Sequence, residues 1–523
     1  MPPRVGRILK ISIFLLILFG IFLTVEKLTG SLLTRSDAPS PRGSLESPIR
    51  SPTRYSGRVP IVDRQKLAEI ESHFLYNVMM DGIPVWDPPD NPRSPPKITE
   101  VPQPTGQIVL NNHHRIVPNK FADGLLCPDV VPCRLLVPTW IAEQESKASQ
   151  HLYQLALLSQ QLNRTLVLPN MWKSRFGTCN RNPFEYYYDI GFFTRSKINT
   201  ATFESFKEWA ADRATPPVMC SFSIESEPAH EVPDMAQGVF LVTPNQSSVA
   251  RRRNCLERLD RRGEISKPPI IVYPTRSRWH IDSISQSEYT QGLISTLSAY
   301  HDVDVIALSW EVKHPIFSSS VPIYLEYAPR WIDLARSLSK RLSPFIAVHW
   351  RMETLDPKGL PACAPRLIDL LSSIKQQSNN EGTSHRIQNV YLATDYPLEP
   401  NSRPHSGTFH YVTEDHHLAM RIFKGAFERG GSLQDLTLGS FAKHSDVLHA
   451  IGESVDGWDA DLGLLGILDK SVAMNAEYFV SGGAGCGRAS SFTAQIIQER
   501  AKKRKELGLK NVIDIFTHHA RGK

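Results

Sequence analysis

The stretch FIAVHWRMETLDPKG, residues 345–359, decides how the rest of the chain is interpreted. Its apolar run Phe345–Val348 is typical of a buried strand, and a polar group that includes His349 and Arg351 follows directly. Ligands of open α/β sheets bind at the carboxyl ends of the strands. Because a guanidinium presents a rigid fork of donors that suits phosphate oxygens, Arg351 at this position predicts a phosphate-bearing ligand. A purely structural ion pair with Glu353 is the alternative.

The composition is that of an ordinary globular protein. The chain has 523 residues, of which 41% are hydrophobic and 21% are charged. This length is sufficient for two or three domains. The formal net charge of +6 is small for such a chain and does not indicate nucleic-acid binding. We therefore expect no nucleic-acid partner.

A predominantly apolar stretch near the N-terminus, residues 11–25, follows a short basic segment. No small-residue cleavage site comes soon after it, so the stretch predicts a signal anchor rather than a cleaved signal peptide. The excess of basic residues before it places the N-terminus in the cytosol. We expect a single-pass type II protein of the endoplasmic reticulum or Golgi, with a cytosolic tail at 1–10, an anchor at 11–27 and a lumenal remainder.

The cysteines and the glycosylation sequons agree with a lumenal location. Seven cysteines, with no CxxC pair, fit no zinc pattern and predict disulfides in an oxidising compartment, with the odd thiol left over. Cys127 and Cys133 are close enough in the sequence to close a small loop, whereas the other pairings stay open. Sequons at Asn163 and Asn245 predict N-glycosylation.

The remaining chain alternates strands and helices, which predicts parallel α/β units. Residues 28–106 are interpreted as a stem or linker, rich in Ser, Pro and Arg in its first part, with one helix near 62–81. A first lobe, 107–323, is predicted to contain a hairpin near 107–116, strands at 134–138, 165–169, 238–243, 269–274 and 303–308, and helices at 145–162 and 287–299. A second lobe, 324–523, is predicted to contain strands at 345–349, 389–394 and 477–481 and helices at 324–341, 365–376, 416–428, 461–474 and 491–505. A cleft between two such lobes is a common ligand site.

Three further features of the second lobe attract attention. The strand 389–394 ends at Asp395, which either hydrogen-bonds a ligand or only forms a turn. Asp469 lies in a predicted helix, where a carboxylate is usually just solvated. Residues 481–493 run from a strand through a glycine-rich loop to Ser490 and Ser491, natural caps of a helix whose N-terminus favours anions. This loop matches neither a Walker motif nor a dinucleotide fingerprint.

The order of these motifs resembles the GDP-fucose O-fucosyltransferase superfamily. The segment Gln154–Pro169 looks like the first motif of that family, a helix running into LNRTLVLP. His349-x-Arg351 looks like its nucleotide-sugar motif, and Tyr391-x-Ala393-Thr394-Asp395 resembles a further strand motif. Phe479-Val480-Ser481 with Ser490-Ser491-Phe492-Thr493 looks like its last motif. The resemblance spans roughly residues 133–505 and implies an α/β fold of the GT-B type, two facing Rossmann-like lobes with a central cleft.

The resemblance also implies roles for individual residues. Arg351 is expected to contact the β-phosphate of GDP-fucose, with His349 beside it, and Asp395 and Asp469 are expected near the nucleoside. The segment Ser490, Ser491, Phe492 and Thr493 is expected to line the diphosphate and guanosine pocket. The resemblance implies that no metal cofactor is required, so Arg351 and helix-terminal amides would stabilise the leaving diphosphate.

The segment before the first-motif helix supplies the candidates for a general base, Glu143 and Glu145. Glu143 is favoured by its spacing, while capping or charging the first helical turn is the alternative role. The family's glycine-rich loop is replaced here by Glu-Ser-Lys-Ala-Ser, which leaves the acceptor open. The expected function is an inverting transfer of fucose from GDP-fucose to a hydroxyl of a protein or glycan. The alternatives are another GDP-sugar donor, or an inactive relative that binds a nucleotide sugar or a protein.

Overall fold

The computed structural model describes part of one compact unit, Asp63–Lys523. The described residues are 123–518 without 125, 128–131, 226–240, 245–253, 260–268, 274–282, 314, 318–321, 354, 381–385, 399–408, 410, 442–460, 488–489, 508 and 510. The predicted anchor, stem, hairpin near 107–116 and sequon at Asn245 all lie outside these residues. Within the described part of the chain, no helix is long and apolar enough to cross a bilayer.

The first lobe is built on a seven-stranded sheet with the order β5-β2-β1-β9-β6-β8-β7. All neighbouring strands are parallel except β7 and β8. The strands of this sheet are β1 Leu135–Ile141, β2 Thr165–Leu168, β5 Thr200–Thr202, β6 Met219–Ile224, β7 Leu241–Pro244, β8 Ile270–Tyr273 and β9 Val305–Trp310. A separate antiparallel hairpin consists of β3 Met171–Trp172 and β4 Arg175–Phe176. The helices are α1 Glu145–Gln161, α2 Gly191–Arg195, α3 Phe203–Asp212, α4 Asn254–Glu257 and α5 Ser283–Ser298.

The second lobe is built on a parallel five-stranded sheet with the order β12-β11-β10-β13-β14. Its strands are β10 Phe345–Trp350, β11 Asn389–Thr394, β12 Thr437–Gly439, β13 Tyr478–Gly482 and β14 Asp514–Phe516. The helices are α6 Pro329–Leu342, α7 Leu360–Asn380, α8 Glu414–Gly425, α9 Leu462–Ala473 and α10 Ser491–Leu507. The central strand β10 is buried along its whole length, as its apolar run predicts.

The observed elements confirm the predicted α/β alternation and correct several details. Strand β9 extends two residues beyond its predicted end, and α7 begins at Leu360 although Pro365 lies inside it. The helix continues directly from the 3₁₀ turn Pro357–Gly359, so Pro365 lies beyond its first turn, where proline has no N–H for an i→i−4 hydrogen bond. Six paired strands were not predicted, namely β3, β4, β5, β6, β12 and β14. The predicted lobe boundary at residues 323/324 falls between the last strand of one sheet and the first strand of the other.

Two buried arginines fasten loops to the sheets. Arg164 donates to the carbonyls of Leu135, Val303, Asp304 and Tyr300 at 2.8–3.3 Å, which ties the turn after α1 to β1 and β9. Arg500 donates to carbonyls before β13 and β14, among them Ala476 at 2.6 Å and Val512 at 2.9 Å. Burial lowers the pKa of both guanidinium groups to about 10, so both stay charged at neutral pH.

Three disulfides confirm the predicted use of cysteine. Cys127–Cys133 and Cys179–Cys255 lie in the first lobe, and Cys363–Cys486 lies in the second. Cys220 is the cysteine outside these bridges. The third bridge joins the start of α7 to the glycine-rich loop after β13, so it fixes that loop beside the end of β10.

Candidate active site

A cavity of about 150 Å³ is lined by residues of both lobes. The first lobe supplies residues after β1 and at the β3–β4 turn, and the second supplies strand ends and the starts of α9 and α10. The lining residues are Gln144, Glu145, Ser146, Lys173, Ser174, Arg175, His349, Arg351, Glu353, Ala393, Thr394, Asp395, Gly463, Leu465, Gly466, Asp469, Ser490, Ser491 and Phe492. Ligands of parallel sheets bind at this end of the strands, so the cavity is the candidate active site.

Arg351 leaves the end of β10 and reaches the cavity wall. Its side chain is 27% exposed and forms an ion pair with Glu353, whose side chain is 1% exposed. A buried carboxylate therefore orients a guanidinium that still reaches the cavity. The structure thus contains the ion pair that was the alternative explanation of Arg351, and it leaves the arginine available for an anionic ligand.

His349 forms an aromatic wall together with Phe492. The two rings stack with centroids 4.6 Å apart, and His349 Nδ1 lies 3.0 Å from the hydroxyl of Thr493. Burial lowers the pKa of His349 to about 3, and the charge of Arg351 acts in the same direction. The imidazole is therefore neutral at pH 7 and adds no positive charge to the site. Thr493 is buried behind this wall and is not among the residues that line the cavity.

Asp395 fastens the ends of two neighbouring strands to each other. Its carboxylate accepts hydrogen bonds from the backbone N–H groups of Met352 at 2.9 Å and Glu353 at 3.0 Å. Burial raises the pKa of Asp395 to about 6, while the Met352 N–H and the Arg351 charge offset part of that rise. The turn-forming role is thus present in the structure, and it fixes the backbone that carries Arg351.

Asp469 places a buried carboxyl group at the cavity from the middle of α9. The hydroxyl of Tyr391 donates to it at 2.5 Å. Burial raises the pKa of Asp469 to about 7, and the Tyr391 hydrogen bond offsets part of that effect. The Asp469 carboxyl group is therefore only partly ionised at neutral pH. A ligand that donates hydrogen bonds to it would favour its charged form.

Asp469→Asn is expected to change the pH dependence of stability. The folded-state pKa lies above the unfolded value, so the native protein binds the extra proton and loses stability as the pH rises from about 4 to about 7. In denaturant titrations, the free energy of unfolding of the variant relative to wild type should rise by roughly 1.4 kcal/mol per pH unit within this window. The surface variant Asp333→Asn, whose side chain is 64% exposed, is the control. If the free energy of unfolding changed with pH in the same way for Asp469→Asn and wild type, the raised pKa of Asp469 would be wrong.

The glycine-rich loop after β13 leads into the capped start of α10. Ser490 Oγ accepts the N–H of Thr493 at 3.1 Å, the capping role that its position predicts. The loop is tied to β14 by hydrogen bonds from Gly483 N–H to Phe516 O at 2.9 Å and from His518 N–H to Ala484 O at 3.0 Å. The first turn of α10 thus carries Ser490, Ser491 and Phe492 to the cavity, with the N-terminal end of the helix dipole beside them.

The β3–β4 hairpin is a part of the site that the sequence analysis did not identify. Its turn residues Lys173 and Ser174 have φ values of 49° and 66°, the left-handed values of a tight hairpin turn. The turn approaches α9 so closely that a Cβ atom on Gly463 would lie 2.3 Å from the Ser174 nitrogen. Glycine at 463 therefore permits direct contact between the lobes, and the turn adds Lys173 and Arg175 to the cavity lining.

Of the two candidate bases, only Glu145 lies among the lining residues. Glu143 is half-buried nearby, and Glu145 is buried at the first turn of α1. Asn163 is exposed in the turn after α1, where its glycosylation stays a prediction. Among the described residues, no three His, Cys, Asp or Glu side chains are close enough to hold a metal ion.

Comparisons with known proteins identify similar solved structures at low sequence identity. No protein-family model and no curated protein matches the chain. The chain is similar to POFUT1 in complex with GDP-fucose, with 12% identity over 74% of this chain and 99% of that chain and a TM-score of 0.39. It is also similar to the fucosyltransferase NodZ from Bradyrhizobium, with 11% identity over 71% of this chain and 93% of that chain and a TM-score of 0.31. The two predominantly parallel sheets of this chain confirm the predicted α/β class.

Proposed function

We propose that this chain is a glycosyltransferase that takes fucose from GDP-fucose and transfers it to a hydroxyl group of a protein or glycan. The observation that carries the proposal is the placement of Arg351. Its guanidinium is oriented by the buried Glu353 and lines a cavity that both lobes share. This is the geometry required of a group that binds a diphosphate between two lobes.

The leaving group determines the chemistry of such a site. When the acceptor hydroxyl oxygen bonds to the anomeric carbon, the bond from that carbon to the β-phosphate oxygen breaks, GDP leaves with the electron pair, and the hydroxyl proton passes to the departing diphosphate or to solvent. Negative charge therefore grows on the diphosphate in the transition state. Arg351 and the N-terminal end of α10 supply preorganised positive potential for this charge. Attack from the face opposite to GDP inverts the anomeric centre.

The nucleoside is the second recognised part of the donor. The carboxyl group of Asp469 lies at the cavity with a pKa of about 7. A carboxylate suits the N–H donors of guanine, whereas the corresponding edge of uracil presents a different donor pattern. The stacked pair of His349 and Phe492 provides an apolar wall for the sugar or the base. The Asp469 carboxyl group and the His349–Phe492 pair therefore favour a GDP-sugar over a UDP-sugar.

Ligand-induced stabilisation tests this assignment. A nucleotide that binds the folded chain at 100 times its Kd stabilises it by about 2.7 kcal/mol, which raises the melting temperature by a few degrees. We expect GDP to produce this shift in the lumenal fragment from about residue 60 onward, and UDP and CMP to leave the melting temperature unchanged. A larger shift with UDP than with GDP would show that the donor assignment is wrong.

A donor-hydrolysis screen then separates the possible activities. Hydrolysis of GDP-fucose in preference to other GDP-sugars supports the proposed donor, and preference for another GDP-sugar selects that alternative. GDP binding without hydrolysis or transfer points to an inactive binding relative. Unchanged rates in the presence of a chelator would support the proposed metal-independent chemistry.

We further propose that residues 11–27 anchor the enzyme in the endoplasmic reticulum or Golgi membrane, with the two lobes in the lumen.

A further inference from the structure

Lys470 is a buried ammonium group in a predominantly apolar helix. It lies in α9, and its side chain is 0% exposed. Its three N–H donors match three acceptors, the carboxylate of Glu145, Ser146 Oγ at 2.9 Å and Gln495 Oε1 at 2.6 Å. Each N–H of the ammonium group therefore has a partner inside the protein.

Glu145 is equally saturated. Besides Lys470, it accepts hydrogen bonds from Tyr188 at 2.6 Å, Tyr327 at 3.0 Å and Ser146 at 3.1 Å. A carboxylate has about four lone-pair positions, and here each oxygen accepts two donors. Burial alone would raise the pKa of Glu145, but the Lys470 charge and the hydrogen bonds from Lys470 and the two tyrosines bring it below its ordinary value. No acceptor position remains for the proton of a substrate hydroxyl.

The network joins the two lobes directly beside the cavity. Glu145 and Ser146 belong to the first turn of α1 in the first lobe, whereas Lys470 and Gln495 belong to α9 and α10 in the second. Glu145 and Ser146 also line the cavity, as does Asp469, the sequence neighbour of Lys470. The hydrogen bonds of Lys470 are thus among the contacts that hold the two walls of the site together.

Removing one partner of such a pair leaves a buried charge without compensation, which is far more disruptive than removing both. A fully paired network favours one defined spacing of the two walls.

We propose that Lys470 is a positioning residue of the proposed transfer reaction, and that Glu145 is its partner across the lobes rather than the general base. This inference rests on the proposed function. By holding the first turn of α1 at a fixed distance from Arg351 and Ser490, Lys470 aligns the acceptor with the donor. It contributes no proton to the reaction and touches no substrate.

The test compares Lys470→Met, Glu145→Gln and the double variant with wild type, and uses Lys502→Met as control. Lys502 lies on α10 with a side chain that is 57% exposed. We expect Lys470→Met to lower kcat by about 100-fold, the cost of a misplacement of about 1 Å, with the Kd of GDP changed less than threefold. The double variant restores neutrality, so it should fold even where a single variant does not. The double variant should transfer fucose faster than Lys470→Met. Its kcat should decrease at low pH in the same way as the kcat of wild type, which is the acid limb of the pH profile.

Two results would overturn the inference. One is a wild-type kcat in a folded Lys470→Met protein. The other is a double variant that binds GDP normally but lacks both transfer and the acid limb, because that result identifies Glu145 as the base. Hydrogen exchange separates these failures from a failure of the proposed function. The amides of residues 144–150 should exchange faster in Lys470→Met than in wild type, even if wild type proves inactive with GDP-fucose.

Discussion

Replacing Arg351 by alanine is expected to lower kcat for the proposed fucosyl transfer by roughly a thousandfold, the scale at which arginines that stabilise departing phosphate charge contribute. The guanidinium is the cation that β10 carries to the cavity, and its side chain is 27% exposed at the end of a fully buried strand. His349 beside it is neutral, so it does not take over the role. The measurement is kcat with GDP-fucose and the Kd of GDP in parallel. The loss should be concentrated in kcat, because charge grows as the donor bond breaks.

Two matched variants define what the arginine contributes. Arg351→Lys keeps the charge but lacks the planar fork, so its kcat should fall between those of wild type and the alanine variant. Arg421→Ala removes an arginine of the same lobe that is 65% exposed on α8, and it should leave kcat unchanged. If Arg351→Ala turned over GDP-fucose at the wild-type rate, the assignment of this residue to the diphosphate would be wrong.

Gly485→Ala is expected to destabilise the chain by at least ~3 kcal/mol. Gly485 has a φ of 75°, and a Cβ atom there would lie 1.9 Å from the carbonyl oxygen of His518. The conflict is with backbone, so no side-chain rotation relieves it. The residue follows Gly483 and Ala484, whose hydrogen bonds attach the loop to the segment of β14. The loop and the start of α10 should shift together, which adds a loss of GDP affinity.

Gly425→Ala is the control for this glycine. Gly425 is the last residue of α8, and a Cβ atom there would meet nothing within 4 Å. Its free energy of unfolding should stay within about 1 kcal/mol of wild type, with a small gain possible because alanine restricts the unfolded chain. Denaturant titrations of both variants decide the matter. An unchanged midpoint for Gly485→Ala would rule out the tight approach of the loop to residue 518.

The parts of the fold that the sequence predicted are those with a strong local pattern. Strand β10 is a continuous apolar run, and α1 repeats apolar residues on one face, so both are recognisable without tertiary information. Strand β6 has the sequence MCSFSI, in which serines alternate with apolar residues. Ser221 and Ser223 are nevertheless buried, because the strand lies inside the sheet between β8 and β9. Its place depends on strands distant in the sequence, which no local pattern contains.

The residues of the candidate site also divide into those with a local sequence pattern and those that depend on tertiary packing. The strand-end residues Arg351 and Asp395 were predicted because parallel sheets present ligands at that end. The role of Lys470 depends on packing between lobes, although the Asp-Lys pair within the apolar helix LGLLGILDKSVA was a signal that a charge had to be paired. The turn at Lys173 contains neither the Asn nor the Gly that usually marks a tight hairpin, so its approach to the cavity had no sequence signature.

The placement of the disulfides has a consequence for biosynthesis. Each bridge joins cysteines of one lobe, so none of the three disulfides links the two lobes. Chains emerge from the ribosome N-terminus first, and domains generally fold in that order. Both bridges of the first lobe can therefore close once Cys255 has reached an oxidising compartment. The bridge from Cys363 must wait for Cys486, 123 residues later. Oxidation thus completes the bridges of the first lobe before the bridge that holds the glycine-rich loop of the second lobe.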